Sequence, residues 1–264
     1  MTRALPSPRR TTSSRRWSFR VGTCFLGNCL ACAVACVAAL VAGQAHSHVI
    51  AIDVGHSIAS RGAVSARGVS EFDFNRALAL ALDEELRRRD VATVLIAADG
   101  RTEDLLSRPR SAAAARAGLF VAVHHDSAKA RFMREWEFGG KQRRYLDDRF
   151  RGFSIFVSRD NPPWAQALRC ASAIGARMIG AGYVPSRYHA DPVLGSAREF
   201  ADEVNGVHFY DALAVLRHAS MPALLFEAGV IVNRDEEAML GRDDTRRAIA
   251  AAMAQGIADC GYRP

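Results

Sequence analysis

Short apolar runs alternate with amphipathic segments along most of the chain. In the first long amphipathic segment, Leu78, Leu82 and Leu86 recur at four-residue spacing, which is typical of a helix that buries one face. The alternation of strand-length runs with such segments predicts an α/β domain with a mainly parallel, twisted sheet and helices on both faces. The predicted strands span residues 48–53, 91–97, 119–124, 153–158 and 222–227, and the predicted helices span 72–89, 108–117, 163–181, 209–217 and 243–258.

Four side chains able to bind a metal or move a proton stand at the ends of these predicted elements. His56 follows the first apolar run, His124 ends the third, and Glu227 closes the fifth, while Glu71 opens the first helix. Because the carboxyl ends of parallel strands meet at one edge of a sheet, we expect the two histidines to face one crevice. A carboxylate that closes an apolar strand is costly to bury unless it is paired or has a chemical task.

These residue types predict a hydrolytic metal site. Structural zinc is closed by four protein ligands, whereas catalytic zinc keeps one position for water. His56, Glu71 and His124 supply three ligands and leave one position open. Zinc lowers the pKa of its bound water to about 7. Glu227 is then available to take the proton of the attacking water and pass it to the leaving nitrogen.

The second histidine of the set is followed directly by another, His125. Side chains alternate between the two faces of a strand, so only one of the neighbours can reach a metal. The strand pattern alone does not decide between His124 and His125.

Four segments resemble the motifs of the zinc-dependent N-acetylmuramoyl-L-alanine amidases of bacterial cell-wall turnover. Their order and spacing match those of the catalytic domain of that family, and the resemblance extends from about Val49 to the C-terminus. One segment alone would be a weak signal, but four in order are a strong one. The segments are DVGH at residues 53–56, EFDFN at 71–75, VAVHHD at 121–126 and the stretch 216–229.

The resemblance implies a zinc-exopeptidase-like fold and a role for individual residues. It places one zinc ion per chain on His56, Glu71 and His124, which selects the first of the two adjacent histidines, and it makes Glu227 the catalytic carboxylate. Asp126 stands where the family has asparagine. This departure bears on the polar contacts beside the metal, and therefore on substrate preference rather than on the type of reaction.

The activity that the resemblance implies is hydrolysis of the amide between N-acetylmuramic acid and the L-alanine of the stem peptide, in peptidoglycan or in soluble muropeptides. Two alternatives stay open. One is a zinc peptidase or another amidohydrolase that uses the same chemistry on a different amide, and the other is a non-catalytic wall-binding or regulatory protein with the same fold. We expect a monomer, and the need for an activator protein is left open.

Length and charge narrow the classes of partner. The 264 residues, less a leader, suffice for one α/β domain with a well-buried core. Of the 35 Lys and Arg residues, six lie before residue 46 in a stretch without acidic residues, which leaves 29 basic against 28 acidic side chains. The charge balance of the remaining chain does not indicate a nucleic-acid partner.

Residues 1–45 have the pattern of a signal peptide. A basic stretch up to Arg20 precedes an uncharged run over 21–42, and the small residues ending at Ala45 resemble a cleavage site. Consecutive arginines in the basic stretch resemble a twin-arginine signal, and the general export route is the alternative. The catalytic domain, residues 46–264, would then act in the periplasm or elsewhere outside the cytoplasm. The uncharged run is also long enough for an uncleaved membrane anchor.

Two cysteines, Cys170 and Cys260, lie beyond the predicted cleavage site. An even number of cysteines is compatible with one disulfide in an oxidising compartment. Both lie in alanine-rich helical segments, and two separately buried thiols are the alternative.

The least ordinary segment beyond the leader is a basic and aromatic insertion at about residues 128–152, directly after a predicted metal ligand. Loops that follow strand ends often carry function, so we expect this insertion to line or cover a substrate groove. Arg134 and Trp136 are its candidate substrate contacts. A solvated surface excursion is the alternative.

Two further segments offer candidate regulatory or substrate residues. His189 lies in a predicted pocket loop, although an isolated histidine is usually a structural residue. In the acidic segment 198–206, Glu199, Asp202 or Glu203 could block the metal in the manner of the inhibitory helix that some relatives of the family hold over the zinc. An ordinary exposed helix is the alternative for that segment.

Overall fold

The computed structural model describes residues 49–146 and 149–263. The predicted leader, with its signal, cleavage-site and anchor alternatives, lies outside the described residues. The strands are β1 (Ile50–Val54), β2 (Thr93–Ile96), β3 (Leu119–Asp126), β4 (Arg134–Phe138), β5 (Lys141–Tyr145), β6 (Ser154–Val157), β7 (Phe200–Asp202), β8 (Val207–Phe209) and β9 (Ala223–Val230). The helices are α1 (Glu71–Arg88), α2 (Ser107–Ala114), α3 (Trp164–Gly180), α4 (Ala214–Arg217), α5 (Arg234–Leu240) and α6 (Asp243–Asp259), and a 3₁₀ turn covers Ala130–Phe132.

Seven of the strands form one sheet in the order β2-β1-β3-β9-β6-β8-β7. The pairs β1–β2, β1–β3, β3–β9 and β6–β8 are parallel, while β6–β9 and β7–β8 are antiparallel. The prediction of a mainly parallel sheet is therefore confirmed. The parallel strands β1, β3 and β9 are adjacent, so their carboxyl ends lie side by side at one edge of the sheet.

The sheet is buried on both faces because alternate side chains of its central strands enter two separate apolar clusters. Ile50 and Ile52 of β1 pack in the larger cluster with residues of α1, α3 and α6. Ala51 lies between them in sequence and packs in the second cluster, with Ala112 of α2 and Leu216 of α4. Near-continuous apolar strands of this kind are typical of a sheet covered by helices on both sides.

The start of α1 has a defined cap. The hydroxyl of Ser70 accepts a hydrogen bond from the backbone N–H of Asp73 at 3.4 Å, which satisfies one of the free donors of the first turn. Glu71 is consequently the first residue of the helix. The sequence predicted this helix to within one residue at either end.

Two expectations about local structure are wrong. The predicted helix 209–217 is helical only in α4, since residues 207–209 form β8, which pairs with β6. The acidic segment 198–206 holds the short strand β7 rather than an exposed helix. For β8, pairing with β6, a strand distant in sequence, outweighs the local polar pattern. For β7, pairing with β8 across a short turn does the same.

The basic and aromatic insertion forms a two-stranded hairpin, β4–β5, separate from the main sheet. Arg134 pairs with Tyr145 and Glu135 with Arg144 across the two strands. The turn residues Gly139 and Gly140 have φ values of +61° and +71°, as a two-residue hairpin turn of this hand requires.

A disulfide joins Cys170 of α3 to Cys260, the residue that follows α6, with the two Cα atoms 5.0 Å apart. This resolves the sequence alternatives in favour of the disulfide. The bond ties together two helices that pack side by side on the same face of the sheet.

None of the helices within residues 49–146 and 149–263 combines the length and the apolar character needed to cross a bilayer.

Candidate metal centre and its groove

His56, Glu71 and His124 converge at the carboxyl edge of the sheet. Their ligand atoms all lie within 4.8 Å of one another. The Nε2 atom of His56 is 3.0 Å from Oε2 of Glu71, and the Nδ1 atom of His124 is 3.0 Å from Oε1 of the same carboxylate. Two imidazoles and a carboxylate in this arrangement form a donor set suited to zinc with a position left for water.

The electrostatics of Glu71 fit a ligand that is always ionised. Burial raises the pKa of this carboxyl, but hydrogen bonds from His124 and His56 outweigh it and hold the pKa well below its usual range. The backbone N–H of Ala63 also donates to Oε2 at 3.0 Å. The position of Glu71 in the first turn of α1, near the positive end of the helix dipole, favours the same charged form.

The loop after β1 is shaped closely around the metal-binding side chains. His56 has a φ of +69°, a region that residues other than glycine enter rarely and at a cost of about 1 to 3 kcal/mol. A Cβ atom on the preceding Gly55 would lie 2.3 Å from Nε2 of His124. Only glycine therefore fits at position 55, beside the ring of His124.

A buried ion pair lies next to this loop and holds part of its backbone. Arg108 of α2 donates to Oδ1 of Asp53 at 2.9 Å and to the backbone carbonyl of His56 at 2.6 Å. Both charged side chains are at most 2% exposed. Burial raises the pKa of Asp53 to about 6 despite the attraction of Arg108. The backbone position of His56 thus depends on Arg108.

The two adjacent histidines of β3 point in opposite directions, as the alternation of side chains in a strand predicts. His124 joins the metal group, whereas His125 is buried and its Nδ1 lies 2.9 Å from Oδ1 of Asn75. The amide nitrogen of Asn75 donates to the carbonyl of Gly55 at 3.2 Å. Burial lowers the pKa of His125 to about 3, so this histidine is a neutral structural residue.

Glu227 lies directly opposite His124 in the register of β3 and β9. Its Oε2 atom is buried and has no hydrogen-bond partner among the described residues. Burial, followed by the negative charges of Asp126 and Glu71, raises the pKa of Glu227 well above its ordinary value. An unpaired carboxylate with a raised pKa beside a metal-binding group has the properties of a general base.

Asp126 and His189 form a pair beside Glu227. Oδ2 of Asp126 lies 2.6 Å from Nε2 of His189, and Oδ1 accepts a hydrogen bond from the N–H of Ser127 at 2.7 Å. The ring of His189 packs edge-on against Phe156 with the centroids 5.0 Å apart. The structure thus brings together two candidate residues that are 63 positions apart in sequence.

Three cavities are lined by candidate residues or by residues that contact them. One, of about 210 Å³, is lined by His56 and His124. A second, of about 320 Å³, is lined by Glu227 and His189. A third, of about 370 Å³, lies between Ala63 and the β4–β5 hairpin. The first cavity thus adjoins two members of the metal group directly, and the third adjoins it through Ala63, whose N–H donates to Glu71.

The candidate residues of the hairpin are not among the side chains that converge on the metal group. The indole N–H of Trp136 donates to the carbonyl of Ala66 at 3.0 Å, and the guanidinium carbons of Arg67 and Arg234 are 5.6 and 5.0 Å from its ring centroid. Trp136 therefore anchors the hairpin to the domain. Arg134 is exposed at the start of β4.

The three acidic candidates of the segment 198–206 each contact another residue instead of the metal group. Glu199 pairs with Arg159 at 3.0 Å, Glu203 pairs with Arg187, and Asp202 accepts a hydrogen bond from Asn205 at 2.7 Å.

Sequence reasoning missed three residues that shape the site. Asn75 lies in the second motif segment and could have been found from that match. Arg108 has no signal in its own neighbourhood, because its partner Asp53 is 55 residues away. Arg198 begins the acidic segment and lines the cavity beside Glu227, but its carboxylate neighbours in sequence are the more obvious candidates there.

Comparison with known proteins shows the family to which the chain belongs. A family model described as N-acetylmuramoyl-L-alanine amidase matches residues 50–259. The chain is 27% identical over 214 residues to an endolysin of Bacillus phage SPP1, an alignment that covers 81% of this chain and 66% of the endolysin. The chain thus spans just under two thirds of that relative.

Solved structures share the fold at low sequence identity. An N-acetylmuramoyl-L-alanine amidase from Clostridium difficile 630 superposes with a TM-score of 0.62 at 18% identity, over 81% of this chain and 97% of that one. The CwlD amidase from Clostridioides difficile, solved in complex with the GerS lipoprotein, superposes with a TM-score of 0.58 at 20% identity, over 80% and 97%.

Proposed function

Because the chain belongs to the N-acetylmuramoyl-L-alanine amidase family, we propose that it hydrolyses the amide between N-acetylmuramic acid and the L-alanine of the stem peptide. The substrate is peptidoglycan or a soluble muropeptide. One observation carries the proposal. The ligand atoms of His56, Glu71 and His124 converge within 4.8 Å of one another, and Glu227 lies opposite His124 on the neighbouring strand.

The three converging side chains would hold one zinc ion. Two imidazole nitrogens and one carboxylate are the donors of a catalytic zinc site, and Glu71 is held in its ionised form by its surroundings. Zinc bound there would supply an activated water and polarise the scissile carbonyl. Asn75 and Arg108 fix the loop that carries His56, through the carbonyls of Gly55 and of His56 itself.

Glu227 would move the proton in this reaction. It accepts a proton from the attacking water in its ionised form, which a neighbouring cation favours. The burial that raises its pKa also helps it to keep that proton until the nitrogen of L-alanine leaves. Proton transfer of this kind contributes about 10² to 10⁴ in rate.

The hairpin would form one wall of the substrate groove. Gln142, Arg143 and Arg144 line a cavity together with Ala63, whose N–H donates to the ligand Glu71. This contiguity supports a role in holding polymeric substrate. Activation by a second protein stays a prediction from the sequence resemblance.

The reaction would take place outside the cytoplasm, where peptidoglycan lies. The disulfide between Cys170 and Cys260 is compatible with an oxidising compartment. Residues 1–45 would supply the export signal, and the catalytic domain would occupy residues 46–264.

Mass spectrometry of purified peptidoglycan after incubation with the protein tests the proposal. We expect stem peptides that begin with L-alanine and glycan strands without peptides, lost on chelation and restored by zinc. Shortened stem peptides would indicate a peptidase instead. Wall binding without any product would indicate a non-catalytic protein.

A further inference from the structure

The cavity beside Glu227 contains a cationic side chain, that of Arg198, which has no part in the proposed hydrolysis. Its volume is about 320 Å³, and Glu227 and Arg198 are both among its lining residues. The aromatic side chains of Phe156 and Tyr210 form part of its wall. A site for a substrate group therefore adjoins the proposed general base and includes a cation.

The guanidinium group of Arg198 is held by stacking rather than by an ion pair. Its central carbon lies 3.2 Å from the ring centroid of Tyr210 and 5.8 Å from that of Phe156. Stacking through the flat face leaves the N–H donors at the edge of the group available. Within residues 49–146 and 149–263, no carboxylate lies within ion-pair distance of Arg198.

The backbone that presents Arg198 is constrained. Its N–H donates to the carbonyl of His189 at 2.9 Å, which closes a loop and brings the two side chains into one cavity. The preceding residue, Ala197, has a φ of +49°, in the left-handed region that residues with a side chain rarely adopt. Unfavourable backbone conformations of this kind cluster at sites that bind ligands.

The other charged groups of the cavity already have partners or a task. Asp126 is paired with His189, and the ammonium group of Lys129 donates to the carbonyl of Gly195. Glu227 is the proposed base. Neither Lys129 nor Arg198 has a carboxylate partner among the described residues, but the ammonium of Lys129 is bound to a carbonyl, whereas no described residue accepts a hydrogen bond from the guanidinium of Arg198.

The cavity beside the hairpin is less suited to an anion. Arg143 packs over Gly68, and Arg144 lies opposite the acidic residue Glu135 in the register of the hairpin, which lowers the net positive charge beside this cavity. The cavity beside Glu227 therefore offers the better site for a negatively charged group.

We propose that Arg198 binds a carboxylate of the stem peptide and makes the protein select acidic stem peptides over amidated ones. This inference rests on the proposed function. The glycan sugars are uncharged, whereas the peptide beyond L-alanine carries free carboxylates, so charge assigns the cationic cavity to the peptide. A guanidinium that stacks through its face can donate two parallel hydrogen bonds to a carboxylate. A carboxamide has only one acceptor oxygen and no charge, so it cannot form this pair.

A matched pair of synthetic substrates tests this selection. One is N-acetylmuramyl-L-alanyl-D-glutamate, and the other is the same compound with both glutamate carboxyls amidated. For the unaltered protein we expect kcat/KM to be about 10- to 100-fold higher for the acid, the range of a hydrogen bond to a charged group. Arg198→Gln should lose that preference by slowing hydrolysis of the acid alone, and Arg198→Lys should keep part of it.

Arg159→Gln is the matched control. Arg159 also stacks on an aromatic ring, with its guanidinium carbon 4.4 Å from the centroid of Phe209, but its charge is paired with Asp211 and Glu199. We expect this variant to keep the full preference for the acid. An equal loss of preference in Arg159→Gln and Arg198→Gln would overturn the assignment, and so would a loss of activity in Arg198→Gln that is the same for both substrates.

Binding to Glu227→Gln, measured by calorimetry, separates this inference from the proposed function. We expect the acid to bind at least about tenfold more tightly than the diamide, and the double variant with Arg198→Gln to bind both equally. Equal or undetectable binding of both compounds by Glu227→Gln refutes the role of Arg198. Failure of the unaltered protein to release L-alanyl peptides from either compound refutes the amidase function, while the binding preference still reports on Arg198.

Discussion

The clearest prediction concerns Arg108, which supports the loop of the first histidine ligand. Arg108→Met keeps much of the side-chain volume but removes the charge and all the donors. In the structure the guanidinium donates to Asp53 at 2.9 Å and to the carbonyls of Val54, His56 and Thr102 at 2.5, 2.6 and 2.9 Å. The substitution leaves a carboxylate that is 1% exposed without its counter-charge.

The expected loss of unfolding free energy is about 3 to 5 kcal/mol at pH 7, the range for breaking a buried ion pair by removing one partner. The loss should depend on pH in a defined direction. The pKa of Asp53 is already raised to about 6 with Arg108 present, and it rises further without the positive charge. A folded-state pKa above the unfolded value stabilises at low pH, and that stability is lost as pH rises. Above pH 6 the loss should therefore grow by about 1.4 kcal/mol per pH unit, until the pKa of the variant is passed.

Urea denaturation at pH 6, 7 and 8, followed by tryptophan fluorescence, measures both the loss and its slope. The control is the double variant Asp53→Asn with Arg108→Met, which removes the uncompensated charge. It should recover at least about 1 to 2 kcal/mol relative to Arg108→Met at pH 8 and lose the pH dependence. A loss below about 1 kcal/mol at pH 8, or equal stability of the single and double variants, would refute this account of the buried pair.

Three further predictions address the catalytic carboxylate, a buried histidine and the hairpin. Glu227→Gln should bind zinc as the unaltered protein does and lose about 10² to 10⁴ in turnover, and undiminished turnover would contradict its role as the base. Burial lowers the pKa of His208 to about 4, so protonation of His208 destabilises the folded state as the pH falls from 6.5 to 4. His208→Leu should therefore lose up to about 3 kcal/mol less unfolding free energy over this pH range than the unaltered protein. The same pH dependence of unfolding free energy in both proteins would argue against this. Replacement of residues 134–145 by a short flexible linker should slow hydrolysis of polymeric peptidoglycan by about tenfold or more while the metal still binds, and an unchanged rate would show that the hairpin is not part of the groove.

The parts of the fold that the sequence predicted are those set by local patterns. The strands β1, β3 and β9 are continuous apolar runs, because both faces of the sheet are covered, and each run ends in a polar residue at the same edge. The start of α1 was equally visible, since Ser70 is a good cap and the apolar spacing begins directly after it. The metal group follows from these elements, because its three residues lie at their ends.

The parts that the sequence did not predict depend on pairing between distant segments. β8 consists of three residues whose extended form is fixed by β6, about fifty positions earlier in the chain. The ion pair of Asp53 and Arg108 and the pair of Asp126 and His189 likewise join separate segments. A single sequence gives no periodicity or spacing for such contacts, so only the folded chain shows them.

The opposition of His124 and Glu227 in β3 and β9 means that hydrogen bonds of the backbone set the spacing between the Cα atoms of the proposed metal ligand and the proposed base. Neighbouring strands lie about 4.8 Å apart whatever side chains they carry. A change in a loop, in the hairpin or in a surface charge of this chain therefore leaves that Cα spacing unaltered. A slip of one residue in the register of β3 and β9 would, in contrast, move Glu227 away from His124 and turn its side chain to the other face of the sheet.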